Sequence, residues 1–185
     1  PWEGHLENLL DHETSFRTGE GLPEKIESQA VAVCEDSEIK RTCLDLTSMK
    51  SAPSCKLCFH INKDLSEMAY LCIYMKHVDA FTGFDIQLEA EDGRPCTFQL
   101  DNKSTISKVQ ISDNECSCSM PLILKRGWNH LNLDLQNLTQ SAFGVRSKTL
   151  RTLSFRPRCR LFRVFLQEKP YSHAALPRVL MLTSV

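Results

Sequence analysis

From about Val31 onward, apolar and polar residues alternate along the chain in short runs, and this period of two restricts it to a β architecture. AVAVCED and RTCLDLT are the first such runs, and SCKLCFHI follows with Leu57, Phe59 and Ile61 on one face. AYLCIYMKHV is apolar at nearly every position, as expected of a central strand buried on both sides. GFDIQLEAEDGRPCTFQL reads as a hairpin. Phe84, Ile86, Leu88 and Ala90 share one face, Asp92-Gly93 supplies the turn, and Cys96, Phe98 and Leu100 share a face on the return strand.

KVQISD, CSCSMPLIL, WNHLNLDL, TLRTLSFR and CRLFRVFLQ each have the length of a strand, with turn residues between them. In WNHLNLDL, Leu131, Leu133 and Leu135 fall on one face and Trp128, His130, Asn132 and Asp134 on the other. The segment LQNLTQSAFG breaks the pattern: Leu135, Leu138 and Phe143 suit a short helical turn closed by Gly144. Many short strands with almost no helix point to an all-β fold, an antiparallel β-sandwich of jelly-roll or carbohydrate-module type with one or two short helical turns. Residues 31–185 are read as a single sandwich domain. Residues 1–30, polar and rich in turn signals such as TGEGLPEK, are read as an arm or irregular segment with a short helix near His5 to His12.

The 185 residues suffice for a core without covalent staples, and the nine cysteines are odd in number and placed within strand-like runs. Reduced thiols are therefore expected. No apolar run approaches the roughly 20 residues that cross a bilayer, and the opening PWEGHLENLLDHE is acidic rather than a basic leader. The reading is of a soluble cytoplasmic chain, with the sequons at Asn102 and Asn137 unused.

Chemistry is poorly supplied. Cys55 and Cys58 with His60, and later Cys116 and Cys118, form the best metal candidate. However, residues three apart on a strand face opposite ways, and Cys-x-Cys is an unusual second half for a zinc site. The histidines 5, 12, 60, 77, 130 and 173 sit in unrelated contexts, and no nucleophile elbow, zinc-protease helix, phosphate loop or dinucleotide fingerprint is present. No catalytic residue, metal or cofactor is expected, and the chain is read as a non-enzyme.

Charge carries more information. The formal net charge is -1, yet residues 1–120 hold 11 Lys and Arg against 21 Asp and Glu, and residues 121–185 hold 11 against 2. Either the C-terminal third meets an acidic partner, or the two halves neutralise each other on folding. The basic run RPRCRLFRVF, with Arg146, Lys148 and Arg151 just before it, is the candidate contact. Arg156, Arg158 and Arg160 share strand parity and would line one edge if the strand were continuous, with Arg163 further along. The run lacks the stacking aromatics of single-strand binders and any groove-reading helix, so an acidic protein surface is the expected partner rather than nucleic acid. A carbohydrate-binding module is the rival reading, but Trp2 lies in the arm and Trp128 in a packed position, which leaves few aromatics for a sugar platform.

The segments CSMPLILKRGWNHLNLDLQNLTQSAFG and TLRTLSFRPRCRLFRVFLQEKPYSHAALP resemble the C-terminal half of the family of cilia- and flagella-associated protein 20. The markers are Cys-x-Met-Pro from Cys118, Gly127-Trp128-Asn129, Phe143-Gly144, Cys159-Arg160, Tyr171-Ser172 and Leu176-Pro177. A looser similarity runs back through YLCIYMK and SCKLCFHI to about Val33. The resemblance implies a compact β-sandwich of the ciliary axoneme, repeated along doublet microtubules at the inner junction where the B-tubule closes onto the A-tubule. It further implies tubulin and other junction proteins, such as the parkin co-regulated protein, as partners. The implied location is the cytoskeleton of the cilium or flagellum, with the basal body or centriole, or a domain of a longer ciliary protein, as the alternative.

Overall fold

A computed structural model of the chain describes residues 6–10, 31–50 and 55–176. The rest of the N-terminal segment, including His5, His12 and the TGEGLPEK turns, lies outside the described residues, as does Pro177. The strands are β1 (Leu6–Leu10), β2 (Ala32–Asp36), β3 (Arg41–Asp45), β4 (Leu57–Asp64), β5 (Tyr70–His77) and β6 (Gly83–Ala90). They continue with β7 (Pro95–Asp101), β8 (Lys108–Ile111), β9 (Cys116–Pro121), β10 (Gly127–Asp134), β11 (Ser147–Phe155) and β12 (Cys159–Gln167). One α-helix, α1 (Leu135–Phe143), joins β10 to β11, and a 3-10 turn spans His173–Ala175.

Two sheets face each other. The first has the order β10-β5-β12-β3-β2, with β1 paired to β12; the second has the order β4-β11-β6-β7-β9-β8. The expected all-β sandwich is therefore present, with two departures in detail. The expected helix near His5 to His12 is a strand over Leu6–Leu10: β3 covers β12 only at Arg160 and Leu161, and β1 takes up the backbone from Val164 to Gln167. Isolated short helices gain little in water, whereas an open strand edge offers a row of backbone partners. The sheets are also not wholly antiparallel, since β7 and β9 run parallel from Cys96↔Cys116 to Asp101↔Pro121. The chain leaves β7, forms β8 at the outside of the sheet, turns at Ser112–Glu115 and returns between them.

The alternation in the sequence explains the main core. Phe84, Ile86, Leu88 and Ala90 of β6 meet Cys96, Phe98 and Leu100 of β7 and Leu150, Leu153 and Phe155 of β11, all buried between the sheets. The Asp92-Gly93 turn closes the β6–β7 hairpin as expected, with Gly93 at φ 87°. From the other sheet, β5 contributes Leu71, Ile73 and Met75, while its alternate residues Cys72 and Tyr74 are buried on the outer side. That outer side is covered by Ile39 from the β2–β3 turn, by Trp128, and by Tyr171 and Leu176 from the segment after β12. β5 is thus buried on both faces, as its composition demands.

Leu131 and Leu133 pack against the main core, but Leu135 is already the first residue of α1. The helix is longer than a single turn. Asp134 caps it by accepting a hydrogen bond from the Asn137 amide at 2.9 Å, and Gly144, at φ 71°, ends it by donating its amide to the Gln140 carbonyl. That left-handed terminal residue is where glycine avoids the Cβ clash. Phe143 then packs at a tilt against Phe98 with centroids 5.0 Å apart, so α1 closes the core beside β7.

Candidate interaction surface

The polar centre of the outer sheet face is Asp36, at the end of β2, whose side chain is fully buried. Its carboxylate accepts from Lys76 Nζ at 2.9 Å, Arg160 Nη1 at 2.7 Å and Trp128 Nε1 at 3.1 Å, and from the Glu38 backbone amide at 3.0 Å. Burial by itself would raise the Asp36 pKa. The hydrogen bonds from Lys76, Arg160 and Trp128 outweigh it and hold the carboxyl well below the usual carboxylate range. Each cation has a second carboxylate, Glu38 at 2.9 Å from Lys76 and Asp45 at 3.0 Å from Arg160. The knot is internally satisfied and ties the β2–β3 turn across β12 and β5 to β10.

The strand registers gather a set of loops at one end of the sandwich. His77 pairs with Gly127 and Cys159, Gly83 with Asp101, Asp101 with Pro121, and Phe84 with Phe155. The loops 78–82, 102–107, 122–126 and 156–158 therefore emerge together. Asparagine and aspartate side chains clasp them. Asn129 accepts from the Lys125 amide at 2.9 Å and donates to the Lys125 and Gly127 carbonyls, both at 2.8 Å. Asn102 accepts from the Thr82 amide at 3.0 Å and donates to the Ala80 carbonyl at 2.8 Å. Asp101 accepts from the Lys103 and Ser104 amides at 2.9 and 2.7 Å. The polar residues after β7 are the kind that satisfy backbone groups locally, a sequence signal that identifies the clasp at Asp101 but not the reach of Asn102 across to Ala80.

The basic run behaves differently from a continuous stripe. β11 ends at Phe155 and β12 begins at Cys159, so Arg156 and Arg158 sit in the turn between them, with Arg158 at φ 68°. Arg156 pairs with Asp85 at 3.2 Å, Arg160 belongs to the Asp36 knot, and Arg158 is exposed. Arg163 is fully buried. The register slips between Leu161 and Arg163, so Phe162 is an extra residue in the strand. That bulge turns Arg163 to the outer side, where its guanidinium lies 4.4 Å from the Phe162 ring centroid. Arg146 lies at the opposite end of the sandwich, beside Glu91 at 3.7 Å. The shared edge expected for Arg156, Arg158 and Arg160 is thus broken by a turn.

Folding sets five arginines of the C-terminal third against acids from the first 120 residues. Arg126 meets Asp79, Arg146 Glu91, Arg151 Glu89, Arg156 Asp85, and Arg160 both Asp36 and Asp45. Of the motif residues, Gly127 opens β10, Trp128 joins the Asp36 knot and packs edge-on against Phe162 at 6.2 Å, and Cys159 is buried. Trp128 thus fills the outer edge of the sandwich beneath the β2–β3 turn. All nine cysteines are free thiols; Cys55 is buried and Cys58 exposed on β4, and no cluster of three or more metal-ligating side chains forms among the described residues. An open cleft of about 540 Å³ lies beside the loop end, lined by Glu38, Lys76, His77, Asp79 and Arg126 among others. No described helix is long and apolar enough to cross a membrane.

A family model, the CFA20 domain, matches residues 8–184. The chain belongs to the CFA20 domain family. Its relatives include "Cilia- and flagella-associated protein 20" of Chlamydomonas reinhardtii, 22% identical over 144 residues, which cover 77% of this chain and 74% of the algal protein. The proteins of that name from Paramecium tetraurelia and Caenorhabditis elegans are 22% and 20% identical over 111 residues, or 60% of this chain. Those stretches span just over half of each relative, 56% and 53%. The CFA20 match begins within β1 and runs past the 3-10 turn, so it takes in both sheets and every clasped loop.

Proposed function

We propose that this chain is a non-catalytic structural protein of cilia and flagella. Its place is the inner junction of doublet microtubules, where the B-tubule closes onto the A-tubule. Tubulin and neighbouring junction proteins, such as the parkin co-regulated protein, are its partners. The observation that carries the reading is a family match over nearly the whole chain, together with one shared name among relatives from an alga, a ciliate and a nematode. The geometry supports it in two ways. The polar groups of the outer sheet face are spent on holding the fold at Asp36, and the rigid loops at one end present side chains to solvent.

Such a protein works by repetition. An exposed ion pair contributes only about 0–1 kcal/mol and is screened over about 8 Å at physiological salt. A row of copies along a filament adds many such contacts, and each copy is held by the tethering of its neighbours. Electron cryotomography of axonemes from cells with and without the chain, averaged along the doublet, tests the reading. A periodic density at the B-tubule to A-tubule seam should disappear with the chain. An intact seam in its absence would refute the junction role.

A further inference from the structure

Burial and charge divide unevenly over the molecule. Among the described residues six large apolar side chains are exposed: Val33 on β2, Val109 and Ile111 on β8, and three in loops, Ile123 at 89%, Ile106 at 62% and Phe81 at 41%. These last three sit on the clasped loops at one end: Phe81 between β5 and β6, Ile106 between β7 and β8, and Ile123 between β9 and β10. Sheet order and register set them along one end of the second sheet, Phe81 before β6, Ile123 after β9 and Ile106 before β8. The Leu122 amide donates to the Asp101 carbonyl, the Asn102 amide to the Thr82 carbonyl, and Ile106 precedes Lys108, the partner of Ser119, by two residues.

Scattered apolar residues on a surface need no explanation, but three carried by the loops at one end of one sheet make that end a candidate contact face. These loops are not slack. Asn129, Asn102 and Asp101 fix the backbones that carry Ile123, Phe81 and Lys103, so little conformational freedom remains to be lost when something docks. Cations share this end. Lys103 Nζ lies 4.7 Å from the Phe81 ring centroid and Arg156 Cζ 5.7 Å from it. Lys125 and Arg158 are exposed on the neighbouring loops, and Arg126 beside them is 85% exposed even while paired with Asp79.

We propose that this loop end is the docking face of the protein, and that its occupant is an acidic polypeptide segment carrying apolar side chains. Its carboxylates would meet Lys103 and Lys125, and its apolar residues would cover Ile123, Ile106 and Phe81. Charge complementarity selects the acidic partner, and the branched aliphatic side chains select a polypeptide. Single-stranded nucleic acid would stack its bases on open flat rings, and Phe81 already has two cations over its ring. The proposal deepens the structural-protein reading by naming the face that meets the partner, and rests on that reading for a protein as the partner. It also moves the contact role from the basic run of β12, where Arg160 and Arg163 are engaged internally, to the loops alongside.

Fluorescence anisotropy with three labelled probes tests it: a peptide of glutamates interspersed with leucines, a poly-glutamate peptide and a single-stranded oligonucleotide. The mixed peptide should bind most tightly. Ile123→Asp should weaken it by about tenfold or more, as expected when one fully covered aliphatic side chain is lost. Lys103→Glu with Lys125→Glu should weaken both peptides several-fold and reduce the salt dependence of binding. Arg146→Glu, at the other end of the sandwich, should change nothing. Unchanged thermal melting of each variant shows that the fold survives, as expected for exposed positions. Equal binding by wild type and both loop-end variants overturns the proposal, and so does an oligonucleotide that binds as tightly as the mixed peptide. The assay needs no cilia, so its failure is separable from the absence of an axonemal density.

Discussion

Replacing Asp36 by Asn keeps the shape of the side chain and removes the charge on which Lys76, Arg160 and Trp128 converge. Removing one partner of a buried ion pair costs about 3–5 kcal/mol, mostly because the other charge is left without its counterion. Two features place Asp36→Asn toward the lower end. Lys76 retains Glu38 and Arg160 retains Asp45, and the two cationic side chains are 16% and 28% exposed, so water partly replaces the lost carboxylate. The expected cost is about 3 kcal/mol, which for a domain of this size lowers Tm by roughly 6–12 °C.

The pH dependence gives an independent check. Asp36 has a folded pKa below its unfolded value of 3.8. Its contribution is therefore complete above about pH 4 and is lost progressively as pH falls below that. Urea unfolding followed by circular dichroism at neutral pH and in steps below pH 4 should show the wild-type and Asp36→Asn curves converging in acid. Adding Arg160→Met to Asp36→Asn should cost less than the two changes made separately, because they share one network. A neutral-pH cost below about 0.5 kcal/mol, the level of an ordinary surface substitution, with a gap that does not narrow in acid, would refute the reasoning.

Gly83 sits where β6 meets the end of β7, and a Cβ there would lie 2.1 Å from the Leu100 carbonyl oxygen and 2.9 Å from the Asp101 Cα. Both are backbone atoms, so Gly83→Ala should cost about 3 kcal/mol or more in urea unfolding, whereas Gly93→Ala, with open space around it, should cost about 1–2 kcal/mol for its left-handed backbone alone. A smaller cost at Gly83 than at Gly93 would contradict the packing. Maleimide labelling of the native protein should reach Cys58 first, since it alone of the nine thiols is exposed, with the half-buried Cys34 next. Cys159 should react only on unfolding, because it is buried and burial pushes its thiol up to about 12; mass spectrometry of labelled peptides reads the order, and early labelling of Cys159 would contradict the fold.

The sequence determined the elements whose burial follows from local alternation. β5, the β6–β7 hairpin, the face of β10 that carries Leu131 and Leu133, and the stop at Gly144 are all legible, because side chains on a strand must alternate and a left-handed helix cap favours glycine. Charge was legible only as a sum. Which cations remain for a partner depends on which acids the strands bring opposite them: Asp36 and Arg160 are 124 positions apart in the chain and 2.7 Å apart in the fold. The bulge at Phe162 and the turn at Arg156–Arg158 disperse a basic run that looks continuous in sequence, since one extra residue reverses the parity of all that follow. The candidate docking face was the least visible feature. It is assembled from loops between different pairs of strands, and their meeting at one end is fixed by sheet order and register, which local patterning does not encode.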